Sequence, residues 1–225
     1  MPASSPILSS GRRPAIIAGL VALSVGVALA VSSGLSGAVD EALLLAFRSV
    51  GDPAQALGPG WLPEAVRDVT ALGSNTVLIM ATLVAAALLA AARRPRAAAV
   101  ALGAVAGAFV LSYALKWGFD RPRPDLVPHG AAVFSRSFPS SHALLSTAVY
   151  LTLAAVAGAG RRAAEKAVLL GAATAVAVAV GLSRLYLGVH WPTDVVAGWL
   201  VGGAWALIFG TMAVRALEGA ARDGR

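Results

Sequence analysis

Six apolar runs, each about as long as a helix that crosses a bilayer, dominate this sequence. A spanning helix needs roughly 20 predominantly apolar residues, because the hydrocarbon core is about 30 Å thick. The chain is 58% hydrophobic and only 13% charged, which is too few charges to cover a soluble domain. We therefore predict an all-α fold, a polytopic membrane helix bundle with six transmembrane helices. The predicted spans are about 14–34, 71–92, 97–117, 142–160, 164–182 and 193–215.

The basic residues between these runs are concentrated on one side of the predicted bundle. Most of the 18 Lys and Arg residues lie there. They are Arg12, Arg13, Arg93, Arg94, Arg96, Arg161, Arg162, Lys166, Arg215, Arg222 and Arg225. We call these Lys- and Arg-rich connections and termini the basic joints. Because such segments face the cytoplasm, we predict a multi-pass protein of the cell (plasma) membrane with both termini cytoplasmic. The net charge of +7 follows from this asymmetry, so no nucleic-acid partner is inferred from it.

Nothing in the composition divides the 225 residues, so we expect a single membrane-embedded domain, 1–225, with its core at about 70–215. The first run also resembles a secretory signal, and whether it is cleaved stays open, although its length favours an uncleaved span. Segments 40–50 and 61–69 are typical of short helices in the interface plane, but simple connecting helices fit equally well. The absence of Cys excludes disulfides, thiol nucleophiles and thiolate metal sites.

Three short polar clusters interrupt the apolar sequence at the ends of predicted spans. They are KWGFDRPRP at 116–124, PSSH at 139–142 and SRLYLGVHWPTD at 183–194. A charge at such a depth is costly and usually has a function. Counting the spans places all three clusters on the extracytoplasmic side. Together they supply fixed cations, imidazoles, hydroxyls and a carboxylate, a set suited to binding and transferring a phosphate group.

The cations of the first cluster have alternative interpretations. Lys116 is either a phosphate ligand or an anchor that extends to the interface. Arg123 lies between prolines that hold the loop extended, and its guanidinium suits forked recognition of phosphate oxygens. Arg121 fits the same rigid arm or a solvated loop equally well, and we interpret Arg136 as a loop charge.

The second cluster opens a predicted helix. Ser140 is either a plain N-cap or part of an anion site formed by free helix amides, to which Ser141 would also belong. His142 would then lie beside the bound anion.

The third cluster pairs an imidazole with a carboxylate. His190 and Asp194 are four residues apart at the head of the last predicted helix, and Pro192 suits its first turn. The carboxylate can hold one ring nitrogen protonated and direct the other outward. The alternative is that Asp194 only complements the dipole at the helix N-terminus and that His190 is its hydrogen-bonded neighbour.

These residues resemble a known family. K-x6-R-P (Lys116 to Pro124), P-S-x-H (Pro139 to His142) and S-R-x5-H-x3-D (Ser183 to Asp194) are similar to the three signatures of the type 2 phosphatidic acid phosphatases, or lipid phosphate phosphatases. The likeness extends to small bacterial members that act on phosphatidylglycerophosphate or undecaprenyl pyrophosphate. It implies a membrane enzyme that hydrolyses a lipid phosphate or pyrophosphate, with no metal or other cofactor.

The resemblance also implies roles. His190 would take the phosphoryl group as phosphohistidine, Asp194 would orient His190, and His142 would protonate the leaving oxygen. The phosphate oxygens would be held by Lys116, Arg123, Ser140, Arg184 and backbone amides near Ser141. Ser141 stands where the family usually has Gly, and it would be strained if its backbone required a positive φ.

Three other classes of function remain open at this point. His142, His190 and Asp194 could be ligands of a metal hydrolase. A vanadate-dependent haloperoxidase would share such an oxyanion site, but those enzymes are soluble, which the six apolar runs oppose. A non-enzymatic protein that binds or flips lipid phosphates would use the same phosphate-binding residues but would not hydrolyse the lipid. The sequence does not identify the physiological lipid or the oligomeric state.

Overall fold

The computed structural model describes residues 11–223, with side chains described for 11–219. The predicted all-α class is confirmed, and the sheet in this range is one antiparallel hairpin, β1–β2. The elements are α1 (Arg13–Ser32), α2 (Gly37–Leu45), β1 (Arg48–Ser49), β2 (Asp52–Ala56), α3 (Leu62–Ala71), α4 (Asn75–Ala91), α5 (Pro95–Gly118), α6 (Ser141–Gly158), α7 (Ala163–Tyr186) and α8 (Pro192–Asp223). Arg225 and the side chain of Arg222, both counted above as basic, lie outside these ranges.

Within residues 11–223, five helices are long and apolar enough to cross a membrane, namely α1, α5, α6, α7 and α8. A sixth span arises when α3 and α4, which meet at a 45° bend, are counted together. The predicted second span began near residue 71, whereas α4 begins at Asn75. The reason is local: Ser74 is the N-cap, and its hydroxyl accepts a hydrogen bond from the Val77 amide at 3.3 Å.

The bundle carries its apolar side chains outward. Leu29, Met80, Val110 and Val168 are 64%, 60%, 69% and 71% exposed. Polar side chains are instead buried inside, and they include Thr82, Ser112, Ser146 and Thr152. This arrangement is unfavourable in water and suits a protein whose surrounding solvent is lipid.

Helix α6 lies at the centre of the bundle and packs most closely against α8. Leu144 and Val149 of α6 are completely buried. Gly198 of α8 permits the close approach, because a Cβ at this position would lie 2.8 Å from the Ser140 carbonyl oxygen and 3.0 Å from the Leu144 amide. The absence of a side chain there brings the second turn of α8 beside the first turn of α6.

A short reversal joins α7 to α8. Gly188 has φ +69°, the Gly188 amide donates to the Leu185 carbonyl at 2.9 Å, and the Val189 amide donates to the Arg184 carbonyl at 3.2 Å. This is a Schellman ending, in which a glycine in the left-handed conformation stops the helix. Pro192 then starts α8 at once. Arg184 and His190 are therefore held at the same end of the bundle.

The basic joints meet at the opposite end of the bundle. The Arg13 guanidinium donates to the Thr211 hydroxyl at 3.3 Å, and that of Arg94 donates to the Leu217 carbonyl at 3.0 Å. Both contacts lie toward the C-terminal end of α8, whereas the polar clusters lie at its N-terminal end.

The two predicted short helices are present as α2 and α3, at the end of the bundle that carries the polar clusters. The last part of the 40–50 segment forms strand β1 instead of helix. Arg48 in this strand donates to the Tyr186 carbonyl at 2.9 Å, and the Tyr186 hydroxyl donates to the Leu57 carbonyl at 2.8 Å. The connector between α1 and α4 is thus attached to the C-terminal end of α7.

The close contact between α6 and α8 can be tested with a single methyl group. Gly198→Ala should lower the thermal unfolding midpoint in detergent, because overpacking of a tight contact costs about 1–3 kcal/mol. Gly171→Ala on α7 is the matched control, since no atom lies within 4 Å of the added Cβ. An unchanged midpoint in Gly198→Ala would show that the contact tolerates a side chain.

Candidate active site

The three polar clusters meet at one end of the bundle around two imidazoles. The charged and titratable groups close enough to act on His142 are Arg184, His190, Arg123 and Lys116. Lys116 and Arg184 come from the ends of α5 and α7, and His142 comes from the first turn of α6. Arg123 comes from the loop between α5 and α6, and His190 from the segment just before α8. The structure therefore brings residues from positions 116 to 194 of the sequence together at one site.

His190 and Asp194 form a buried pair. Nδ1 of His190 lies 3.3 Å from Oδ2 of Asp194, and the two side chains are 2% and 0% exposed. With Nδ1 protonated toward the carboxylate, Nε2 keeps its lone pair; this tautomer follows from the pairing.

The pair does not arise from helical spacing in the way the sequence suggested. His190 precedes α8, and Asp194 is the third residue of the helix, where its carboxylate accepts a hydrogen bond from the Trp191 amide at 2.9 Å. This is one half of a capping box, in which the third helical residue accepts from the N-cap amide. Asp194 therefore both caps α8 and contacts His190, and its role in orienting the imidazole stays a prediction.

Two further partners of Asp194 come from the loop between α5 and α6. The Ser137 hydroxyl donates to Oδ2 at 2.5 Å, and Nη1 of Arg121 donates to Oδ1 at 2.6 Å. Nη2 of Arg121 also donates to Asp40 of α2 at 2.6 Å. Arg121 is thus a buried ion-pair residue and not a solvated loop charge.

Sequence reasoning missed Ser137 and Asp40. Asp40 did carry a signal, since it is an acid within an apolar segment at the membrane end, but no spacing connected it to the clusters. Ser137 lies in an irregular loop and carried none. Arg136, interpreted as a loop charge, does form an ion pair with Asp120 in which both side chains are half exposed or more.

Burial keeps the His190 imidazole neutral. It lowers the pKa of His190 from 6.5 to about 3, and the positive charges of Arg123 and Arg184 act in the same direction, whereas the hydrogen bond to Asp194 opposes them. The pKa of His190 in the folded protein therefore lies below its value in the unfolded chain and well below neutral pH. The imidazole is neutral at neutral pH. A neutral imidazole with a free lone pair is the form that attacks an electrophile.

Three cations face this pair. Lys116 and Arg184 are 8% and 4% exposed, and Nη1 of Arg123 lies 3.2 Å from Nε2 of His190. The Arg184 guanidinium is held by the Thr70 hydroxyl at 2.9 Å, and its Nε is buried without a partner in residues 11–223. A buried donor that lacks a partner is costly, and an anion oxygen would satisfy it.

The first turn of α6 supplies polar groups beside these cations. The Ser140 hydroxyl accepts a hydrogen bond from the Ala143 amide at 3.5 Å, so Ser140 is the N-cap, and its own amide donates to the Asp194 carbonyl at 3.0 Å. The Ser112 hydroxyl donates to that of Ser141 at 2.8 Å. Ser141 does not require a positive φ, because Arg93 is the one non-glycine residue with such a φ in the described range. The substitution of Ser for Gly therefore causes no backbone strain.

The His142 ring makes no hydrogen bond with any residue between 11 and 223. It packs near the bend between α3 and α4, where a Cβ at Gly73 would lie 3.2 Å from its Cδ2. The ring nitrogens are therefore available to a bound ligand.

An open cavity of about 490 Å³ adjoins the cations. Lys116 and Arg123 lie on its wall together with the aromatic residues Tyr113, Trp117 and Phe134. The aromatic side chains are largely exposed, at 68%, 78% and 98%. Arg123 both lines this cavity and lies 3.2 Å from Nε2 of His190, so it connects the cavity wall with the imidazole.

Metal ligation by His142, His190 and Asp194 finds no support in the geometry. In the described part of the chain, no three His, Cys, Asp or Glu side chains are grouped to hold a metal ion. Both carboxylate oxygens of Asp194 already accept hydrogen bonds, as described above.

Comparisons with known proteins show the family to which this chain belongs. A family model described as the PAP2 superfamily matches residues 97–217. Phosphatidylglycerophosphatase B of Bacillus subtilis is 30% identical over 179 residues, which are 78% of this chain and 83% of that protein. Undecaprenyl-diphosphatase of Sulfolobus acidocaldarius is 36% identical over 104 residues, 46% of this chain and 45% of that protein.

A solved structure shows the same fold. It is the crystal structure of a transmembrane PAP2-type phosphatidylglycerolphosphate phosphatase from Bacillus subtilis, with a TM-score of 0.71 and 24% identity. The match covers 93% of this chain and 96% of that one. Asp40 and Thr70, which hold Arg121 and Arg184, lie before the region that the family model matches.

Proposed function

The chain belongs to the PAP2 superfamily, a phosphatase family that acts on lipid phosphates, and we propose that it hydrolyses a lipid phosphomonoester or pyrophosphate through a phosphohistidine intermediate. The observation that carries this proposal is the environment of His190. The Asp194 carboxylate contacts Nδ1 of His190, so Nε2 of the neutral ring keeps its lone pair, and Nη1 of Arg123 lies 3.2 Å from this Nε2.

The reaction would proceed in two steps. With the anionic phosphate bound, His142 starts the reaction in its protonated form. Nε2 of His190 attacks phosphorus, and the bond from phosphorus to the leaving oxygen breaks as His142 donates its proton to that oxygen and becomes neutral. Neutral His142 then takes a proton from a water molecule, which attacks the phosphohistidine; inorganic phosphate leaves, His190 is again neutral and His142 is again protonated. Asp194 stabilises the positive charge that His190 carries as phosphohistidine.

Charge stabilisation would come from the protein itself. Phosphoryl transfer depends mainly on positioning and on neutralising the charge of the equatorial oxygens. Lys116, Arg123 and Arg184 supply fixed positive charge, and the amides at the start of α6, near Ser140 and Ser141, supply donors. We propose that no metal or other cofactor takes part.

The substrate would be an anionic lipid whose phosphate lies at the membrane interface. Aromatic side chains concentrate at that depth, and Tyr113 and Trp117 flank Lys116 at the cavity. The activities named for the relatives make phosphatidylglycerophosphate and undecaprenyl pyrophosphate the first lipids to test.

We place the site on the extracytoplasmic face of the cell membrane, within a single domain. The support is the separation of charge: the basic joints lie at the opposite end of the bundle, and basic joints face the cytoplasm.

The main prediction concerns phosphate release by purified protein. The wild type should release phosphate from one of these lipids with or without EDTA, and vanadate should inhibit it as a phosphate mimic. His190→Ala should reduce release to background, because no nucleophile remains. The exposed His129, which bonds the Pro124 carbonyl at 2.7 Å, offers the matched variant His129→Ala, which should stay active.

Two results would contradict this proposal. Loss of activity in EDTA that Mg²⁺ or Zn²⁺ restores would make the enzyme metal-dependent. Binding of lipid phosphate without any release would indicate a carrier or flipping protein instead.

A second prediction separates the role of His142 from folding. His142→Ala should reduce hydrolysis strongly for a lipid alkoxide leaving group and only weakly for p-nitrophenyl phosphate, because p-nitrophenolate needs little protonation. Both rates are measured on the same protein, so a folding defect cancels in their ratio. Equal losses on both substrates would leave His142 as a phosphate ligand and not an acid.

A third prediction addresses orientation, and the absence of native Cys makes it direct. Asp125→Cys, in the loop at the site end, should react with a membrane-impermeant maleimide in intact cells. Arg162→Cys is the matched variant at the opposite end, where the Arg162 side chain is 86% exposed, and it should react only after permeabilisation. The reverse pattern would invert the topology.

A further inference from the structure

One arginine is shared between two buried carboxylates at this site. Arg121 donates to Asp40 through Nη2 and to Asp194 through Nη1, each at 2.6 Å. Both carboxylates are 0% exposed, and the Arg121 side chain is 14% exposed. Asp40 is 154 residues before Asp194 in the sequence, so this bridge exists only in the folded chain.

The position of Asp40 is fixed from two sides. Its Oδ1 accepts from the Thr193 amide at 2.9 Å, and its Oδ2 accepts from the Thr193 hydroxyl at 2.8 Å as well as from Arg121. The Arg121 guanidinium also lies 5.5 Å from the centre of the Trp191 ring. With both terminal nitrogens engaged by carboxylates, Arg121 does not face the reaction as a free phosphate ligand.

The balance of charge explains why a second carboxylate is useful. Two carboxylates and one guanidinium leave one net negative charge in the group formed by Asp40, Arg121 and Asp194. If Arg121 faced Asp194 alone, the positive charge of the arginine would cancel the carboxylate that His190 depends on. Burial makes the effect of Asp40 on the Arg121–Asp194 pair large, because charges interact more strongly where water is excluded.

We propose that Asp40 is a positioning residue that engages Arg121 and thereby keeps the negative charge of Asp194 available to His190. This inference rests on the proposed function, since it assigns Asp40 an effect on the nucleophile. Asp40 itself contacts neither of the imidazoles nor the three phosphate-binding cations.

The first test is Asp40→Asn in the full-length protein. The amide oxygen can still accept from the Thr193 amide, but the charge is lost, so Arg121 neutralises Asp194. We expect kcat to fall on the order of 10- to 100-fold, by analogy with the loss of hydrogen-bond partners that orient metal-ligating histidines. KM and the vanadate inhibition constant should stay within about twofold, because the phosphate-binding cations are unchanged.

The neighbouring acid supplies a matched control. Glu41 is exposed on the same helix, and Glu41→Gln removes the same charge without touching Arg121. It should leave kcat and KM unchanged. The thermal unfolding midpoint of each variant in detergent shows that it is folded.

The second test asks whether charge or a structural contact matters. In Asp40→Asn/Arg121→Gln, the negative charge of Asp194 is no longer cancelled, so kcat should rise above that of Asp40→Asn. A purely structural bridge predicts the opposite, because the second substitution removes further hydrogen bonds.

Three results would overturn the inference: wild-type kcat in Asp40→Asn, a loss shared by Glu41→Gln, or a double variant no more active than Asp40→Asn. Each of these leaves the proposed function intact as long as the wild type releases phosphate and His190→Ala does not. An inactive wild type would instead count against the proposed function itself.

Discussion

The carboxylate of Asp194 ties together the segments on which this site depends. It caps α8 through the Trp191 amide, accepts from the Ser137 hydroxyl of the α5–α6 loop, pairs with Arg121 and holds Nδ1 of His190. Two of these partners come from the α5–α6 loop and two from the segment between α7 and α8. Because the group is fully buried, an unpaired carboxylate there would be strongly destabilising, so the loop, the helix start and the imidazole must be placed together.

Close helix packing gives these contacts their geometry. Gly198 allows α8 to approach the start of α6, and the glycine ending at Gly188 turns the chain from α7 into α8 within a few residues. Arg184 is the last basic residue of α7, and His190 lies just before α8. The same backbone features that allow dense packing in lipid therefore also set the distance between Arg184 and His190.

The N-terminal part of the chain completes a site whose recognisable motifs lie in the C-terminal part. Asp40 of α2 engages Arg121, and Thr70 of α3 holds Arg184. Buried cations need such partners, since otherwise burial would favour loss of their charge. The partial pairing still leaves a surplus of positive charge near His142 and His190, which is what an anionic substrate requires.

The sequence by itself determined the membrane class, the all-α fold and the approximate spans, because a long apolar run allows few structures in a bilayer. It also identified Lys116, Arg123, His142, Arg184 and His190, since these lie in spaced motifs at span ends; their chemical roles stay predictions. It could not supply Asp40 or Ser137, and it left Arg121 undecided. Their contacts join residues far apart in the sequence: Arg121 and Asp40 are 81 positions apart, Ser137 and Asp194 are 57 apart, and Arg121 and Asp194 are 73 apart. A local sequence pattern cannot indicate contacts over such separations. Only the tertiary structure decided that Asp194 both caps a helix and contacts an imidazole, because both contacts follow from where α6, α8 and the α5–α6 loop meet.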